Sequence, residues 1–442
     1  MVHIIQEPVA TLIDSRDHNR YEVVKVSGLI NEPLRVVLDS GTGTKPASID
    51  AFGRLRTSNP LTLFDSSYRH QDNSLWATSV ANSGTATFNA NQGLMDLAVT
   101  TTSGSKVYRE TLRVFSYQPG KSLLILYTFV FNDIKENLRQ RAGYFDSNNG
   151  FFLELDDDSL AFVRRSSVSG SVVETRIPQT DWNTDKLDGT GLSGVTLDMT
   201  KAQILWSDME WLGVGSVRMG FVIDGVLITC HTFNHANIIS STYITTATLP
   251  LRYEIENTGT TGSSSTLKQI CGSVVSEGGY QLSGASHSVG TPIATPVSMA
   301  TAGTVYPIVS IRLIASPNRL NAVSILSGAS VLGVSGNVIY NWQLIGNGVT
   351  AGGTWANASA TSNVEYKIGG TSITGGTVLA SGYFSSTNQS VSGLDLATEE
   401  LFKYQLTREP FTSTPQEITL AVTANTNTST VHGSLDFQDI TH

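Results

Sequence analysis

The sequence predicts an all-β protein: an N-terminal extended arm, a jelly-roll or concanavalin-like sandwich, and then a second, smaller β-sandwich. Three observations predict it. Short runs of alternating apolar and polar residues, bounded by Gly, Asn and Ser, dominate the chain, and few stretches have helical periodicity. Only 15% of the 442 residues are charged while 40% are hydrophobic, a composition that packs rather than one that stays disordered. Residues 204–235 read as three consecutive antiparallel strands.

In that stretch the first strand is expected from about Ala202 to Leu212, with Gly213-Val-Gly-Ser216 as its turn. The second runs from Val217 to Ile223, and Asp224-Gly225 closes a two-residue hairpin onto a third from Val226 to about Phe233. Side chains alternate across a strand, so Val217, Met219, Phe221 and Ile223 share an apolar face. Such a meander needs a second sheet over it.

Residues 1–60 read as an arm, with short strand candidates at His3-Ile4-Ile5, Tyr21–Val26 and Leu34–Leu38. Unpaired strands of this kind suit ordering against a neighbouring subunit. The sandwich is placed at 61–285, with strands at Ala86–Asn89, Leu94–Thr100, Val107–Phe115, Leu123–Phe131, Phe151–Leu155, Ala161–Ser166, Ser171–Ile177, Leu251–Ile255 and Leu267–Val275 besides the meander. Residues 286–304, rich in Ser, Gly, Thr, Ala and Pro, read as a linker. The second sandwich is placed at 305–442, and Leu394–Lys403 reads as a short helix or an irregular crossover.

Composition excludes several functions. A net charge of −9 suits phosphate backbones poorly, so no nucleic-acid partner is expected. Met1–Ala10 contains Glu7 and Pro8 rather than a basic apolar leader, and no apolar run reaches about 18 residues. Neither a secretory signal nor membrane insertion is expected. Cys230 and Cys271 are the only cysteines, too few for a disulfide scaffold, and are expected as free buried thiols.

Each candidate for chemistry meets a plainer reading. Asp39-Ser40-Gly41 after Val36-Val-Leu38 matches the aspartic-protease pattern, but it occurs once, and a strand followed by a turn explains it. His231 and His235 lack further ligands at a recognisable spacing and read as partly exposed loop histidines rather than a zinc site. Asp156, Asp157 and Asp158, and Asp181, Asp185 and Asp188, read as turn carboxylates, with calcium the alternative. Asp208 and Glu210 beside Trp206 suggest glycoside hydrolysis, but the Glu-x-Asp-x-x-Glu order of such enzymes is absent. No catalytic, cofactor-binding or metal residue is assigned, and no cofactor is expected. Stacking of sugars on exposed Trp or Tyr remains as a binding function.

Several segments resemble a family of virion structural proteins of tailed bacteriophages, aquatic ones especially. They are Ile49–Arg56, Leu63–Ser66, Tyr117-Gln-Pro-Gly-Lys-Ser122, Arg141-Ala-Gly-Tyr-Phe-Asp146 with Asn149-Gly-Phe151, Asp181-Trp182 with Lys186–Gly191, Glu210–Phe221, Leu249–Asn257 and Ser276–Gly279. The resemblance covers about 49–280, is looser over Tyr306–Arg312 and Asn341–Leu344, and does not extend to residues 1–48. It implies a non-enzymatic component of the virion, assembled in the host cytoplasm: a tail, collar or baseplate fibre, or a capsid decoration. The expected partners are other copies of the chain, a trimer being favoured, and other virion proteins held through residues 1–60. The alternative is a receptor-binding module for host-surface glycans.

Overall fold

The computed structural model describes residues 58–386 and 404–441, together with the backbone pairing of Ala10–Thr11 with Val23–Val24 and of strand Ser392–Asp395. The other expectations for residues 1–57, including Asp39, lie outside the described residues, as does most of the predicted Leu394–Lys403 element. The chain is all-β; among the described residues the one helical element is a 3-10 turn at Gln179–Asp181.

The meander forms, with its first strand ending at Met209 rather than at Leu212, because Glu210 to Leu212 enter the turn. Strands Gln203–Met209, Val217–Ile223 and Val226–Phe233 pair in sequence, with Leu205 opposite Phe221 and Asp208 opposite Arg218. Asp224 and Gly225 take φ of 52° and 80°, the left-handed pair that joins twisted strands with two residues. A bulge follows Met219, where the hydrogen of Gly220 leaves room for the Ile228 carbonyl. These strands edge an eight-stranded antiparallel sheet that continues through Leu123–Val130, Ser265–Ser276, Leu94–Val99 and Thr85–Asn89, with Leu61–Ser67 also on Ser265–Ser276.

A seven-stranded antiparallel sheet covers it, in the order Val173–Pro178, Ser159–Ser166, Gly150–Asp156, Leu138–Phe145, Leu251–Asn257, Lys106–Thr111, Trp76–Ala81. The facing sides form one core: Leu153, Phe162 and Ile255 from this sheet meet Ile125, Phe129, Leu205 and Leu267 from the other. Each such side chain, fully buried, contributes roughly 1.5–3 kcal/mol of transfer free energy. Its central strand, Leu138–Phe145, was not anticipated from the sequence, because Arg139, Gln140 and Arg141 break the apolar alternation.

The second sandwich pairs a five-stranded sheet with a six-stranded one. Ile308, Ile311, Leu420 and Val422 of the six-stranded sheet pack on Val331, Leu435 and Phe437 of the other. Here the expected linker is corrected. Ala285–Gly290 and Val297–Met299 are strands, both paired with Ser429–Asp439. Strand pairing satisfies the backbone of this Ser/Thr/Gly-rich segment, which its weak apolar content concealed. Val323 and Ile325 of the second sandwich join the core cluster of the first, and the two sandwiches belong to one compact unit.

Candidate functional site: a cleft between two sandwiches

The outer face of the seven-stranded sheet carries a ladder of charges. Register sets it: Tyr108 lies opposite Glu254, Glu254 opposite Arg141, and Arg141 opposite Glu154. Arg141 bonds Glu154 at 2.6 Å and Glu254 at 3.2 Å. Arg252 bonds Glu254 at 2.6 Å and Glu110 at 2.8 Å, and Arg165 bonds Glu174 at 2.7 Å. The guanidinium of Arg141 lies 5.1 Å from the centre of the Phe152 ring, and that of Arg252 lies 5.2 Å from that of Tyr108. Burial drives the Glu254 carboxyl up, but Arg252 and Arg141 outweigh it and hold it below the usual range. At Glu110 burial wins over Arg408 and Arg252, and the carboxyl is pushed up.

Beyond that face the second sandwich leaves a cleft, divided by the loop that carries Asn318, Arg319 and Asn321. Asn321 anchors the loop by donating to Asp146 at 3.1 Å and accepting from Arg408 at 2.9 Å. One side is a hollow of about 400 Å³ lined by Lys106, Tyr108, Glu110, Arg252, Arg408 and Phe411 among others. Its arginines are neutralised by Glu110 and Glu254, and both Glu110 oxygens are engaged, one by Arg252 and one by Arg408.

The other side is a hollow of about 460 Å³ lined by Tyr117, Trp211, Thr245, Thr248, Arg319 and Asn363 among others. Trp211 sits in the turn that ends the first meander strand, where its carbonyl accepts from Val214 at 3.0 Å and Gly215 at 2.8 Å. Tyr117 meets it edge-on, ring centres 6.5 Å apart. The buried indole N–H of Trp211 has no hydrogen-bond partner among the described residues. Arg319 donates to the Ser362 carbonyl and forms no ion pair among the described residues.

The residues singled out in the sequence do not converge. Asp208 is buried and paired with Arg218, whose Nε lies 3.0 Å away, while Glu210 beyond the strand end is exposed. The two carboxylates therefore have different environments, and Trp206 beside them is buried. His231 and His235 are buried rather than partly exposed: His231 meets the Phe233 ring edge-on and His235 stacks on Tyr243 at 4.0 Å. The carboxylate of Asp185 accepts from the Leu187 and Ser193 amides at 2.9 and 2.8 Å, and that of Asp188 from the Thr190 amide at 2.9 Å, as turn carboxylates do. Asp157 takes φ of 55° in the hairpin between Gly150–Asp156 and Ser159–Ser166. Among the described residues no group of three or more His, Cys, Asp or Glu is placed to hold a metal ion. Cys230 and Cys271 are free thiols, Cys230 buried and Cys271 half-buried rather than buried as expected. Arg319 and Asn363 escaped the sequence reading, because polar loop residues of the second sandwich carry no local signal of what they face.

No family model matches the chain, and no curated protein matches it in sequence. Solved structures overlap about half of it. The carbohydrate recognition domain of Emp47p is 11% identical, with 49% of this chain and 94% of that one covered and a TM-score of 0.32. A β-1,3-glucanase from Mycobacterium marinum is 10% identical, with 48% and 98% covered and a TM-score of 0.34. The CBM2 module of the evolved Dit of Lactobacillus casei BL23 phage J-1 is 7% identical, with 50% and 98% covered and a TM-score of 0.33. At that overlap none of them assigns a residue or an activity to this chain.

Proposed function

We propose that the chain is a non-enzymatic structural component of a tailed-bacteriophage virion that self-associates and docks through its N-terminal segment. One observation carries the non-enzymatic part. The buried carboxylates on the outer sheet face, Glu110, Glu154 and Glu254, are each paired with at least one arginine. Such pairs hold strands and sandwiches in register and leave no free acid beside a free base. The segments behind the virion resemblance supply the same framework: Arg141–Asp146 and Leu249–Asn257 contribute Arg141, Arg252 and Glu254 to the ladder. Deleting residues 1–48 should leave a folded protein that no longer enters particles; normal incorporation would overturn the anchoring. Sugar release by the purified protein, abolished by Glu210→Gln, would overturn the non-enzymatic reading.

A second reading, binding of host-surface glycans, is favoured by the hollow with an aromatic wall, Tyr117 and Trp211. Aromatic faces with an apolar body and a polar tip suit sugar rings. A glycan array with no binding above background would remove it.

A further inference from the structure

We infer that the hollow between Trp211 and Arg319 is a binding site for a saccharide that carries a carboxylate, such as a uronic or sialic acid. The inference rests on the glycan-binding reading and adds the site and the ligand class. The hollow, about 460 Å³, falls within the roughly 300–1,000 Å³ of small-ligand sites.

Its lining sorts into three parts. The wall is aromatic, with Trp211 and Tyr117 set edge to face. The indole N–H of Trp211 is buried without a partner among the described residues. A buried donor left unpaired costs about 1–3 kcal/mol. The second part is hydroxyl and amide: Thr245, Thr246 and Thr248 from the first sandwich, Asn318, Asn363 and Thr441 from the second. These groups pair with ring hydroxyls in either direction.

The third part is charge. Arg319 is the one charged residue of the lining. Among the described residues only one of its guanidinium nitrogens has a hydrogen bond, to the Ser362 carbonyl. The remaining fork is free for the bidentate contact that guanidinium makes with carboxylate. The neighbouring hollow shows the contrast, since Arg252 there is already paired with Glu110 and Glu254, and Arg408 with Glu110. Glu210, the exposed neighbour of Trp211 in the chain, puts a negative charge near the hollow that opposes an anionic ligand. A single cation in the lining, in a chain of net charge −9, does not suit a nucleic-acid backbone.

The test is an array of neutral, uronic-acid and sialic-acid glycans on the full chain, followed by titration calorimetry with the best acidic binder and its neutral counterpart. The wild type should prefer the acidic ligand by at least about tenfold, the worth of one charge-assisted contact of about 1.4 kcal/mol. Trp211→Ala should weaken both ligands at least about tenfold. Arg319→Met should abolish only the acidic preference, and Glu210→Gln should strengthen acidic binding. Circular dichroism and the melting temperature confirm that each variant is folded. Glycan binding unaffected by Trp211→Ala and Arg319→Met would overturn the site while leaving the glycan reading standing. Binding of neutral glycans alone, lost in Trp211→Ala, would overturn the ligand class, and no binding to any glycan would overturn both.

Discussion

Arg408 reaches from the second sandwich to Glu110 in the first, Nη2 to Oε1 at 2.5 Å, with both side chains almost wholly buried. Its other terminal nitrogen donates to the Thr111 carbonyl at 2.8 Å and the Leu112 carbonyl at 3.1 Å. One guanidinium thus closes a backbone, an ion pair and the Asn321 loop at once. Gln405 repeats the pattern on a smaller scale, donating to the Val114 carbonyl at 3.0 Å.

Replacing Arg408 by Met leaves Glu110 buried with Arg252 as its remaining cation. Removing one partner of a buried pair typically costs about 3–5 kcal/mol. Urea unfolding of Arg408→Met should show that loss, and Glu110→Gln combined with Arg408→Met should be less damaged than the single variant. An unchanged midpoint in the single variant would show that the contact holds nothing.

Gly143 sits in the central strand of the seven-stranded sheet, where an added Cβ would meet the Phe151 carbonyl oxygen and the Phe152 Cβ, each at 2.4 Å. Both neighbours belong to a paired strand and cannot swing aside. Gly143→Ala should destabilise by about 1–3 kcal/mol, measured by thermal or urea unfolding, as overpacking does.

Gly225 has φ of 80° with open space where a Cβ would go. The cost of Gly225→Ala is therefore backbone strain alone, about 1–2 kcal/mol. The loss should appear in the unfolding midpoint with no change in the folded-state near-ultraviolet spectrum.

Burial lowers His231 from its ordinary value to about 4 and also lowers His235. Between pH 6.5 and about 4 the unfolded chain therefore binds more protons than the folded one at His231. By linkage, the contribution of His231 is fully present above pH 6.5 and is lost as pH falls toward 4. Denaturation midpoints should drop across that window, and His231→Phe should flatten the drop. A midpoint independent of pH there would refute the buried neutral histidine. Glu254 and Glu174, also held low, lose their contributions at more acidic pH, below the ordinary carboxylate range.

The strands at Val217–Ile223 and Val226–Phe233 were legible to the residue, because an Asp-Gly turn fixes the hairpin and alternation fixes the face. Leu138–Phe145 was not, although it is the middle of a sheet. Its Arg139 and Arg141 look like surface residues until Glu256, Glu154 and Glu254 are brought beside them. Ala285–Gly290 and Val297–Met299 were hidden for a related reason, since their partner strand comes at the far end of the chain. Of the candidate site, Tyr117 and Trp211 lay in segments the sequence singled out, but nothing local said that they line one hollow with Arg319 and Asn363.

The sequence by itself determined the β class, the meander and its turns, since strand period and glycine's access to positive φ act within a few residues. Only the tertiary structure decided which arginine meets which glutamate, that the expected linker is woven into a sheet, and that a half-buried indole and the Arg319 guanidinium line one hollow. Those outcomes depend on desolvation and on partners distant along the chain, and neither is written in any short stretch of residues.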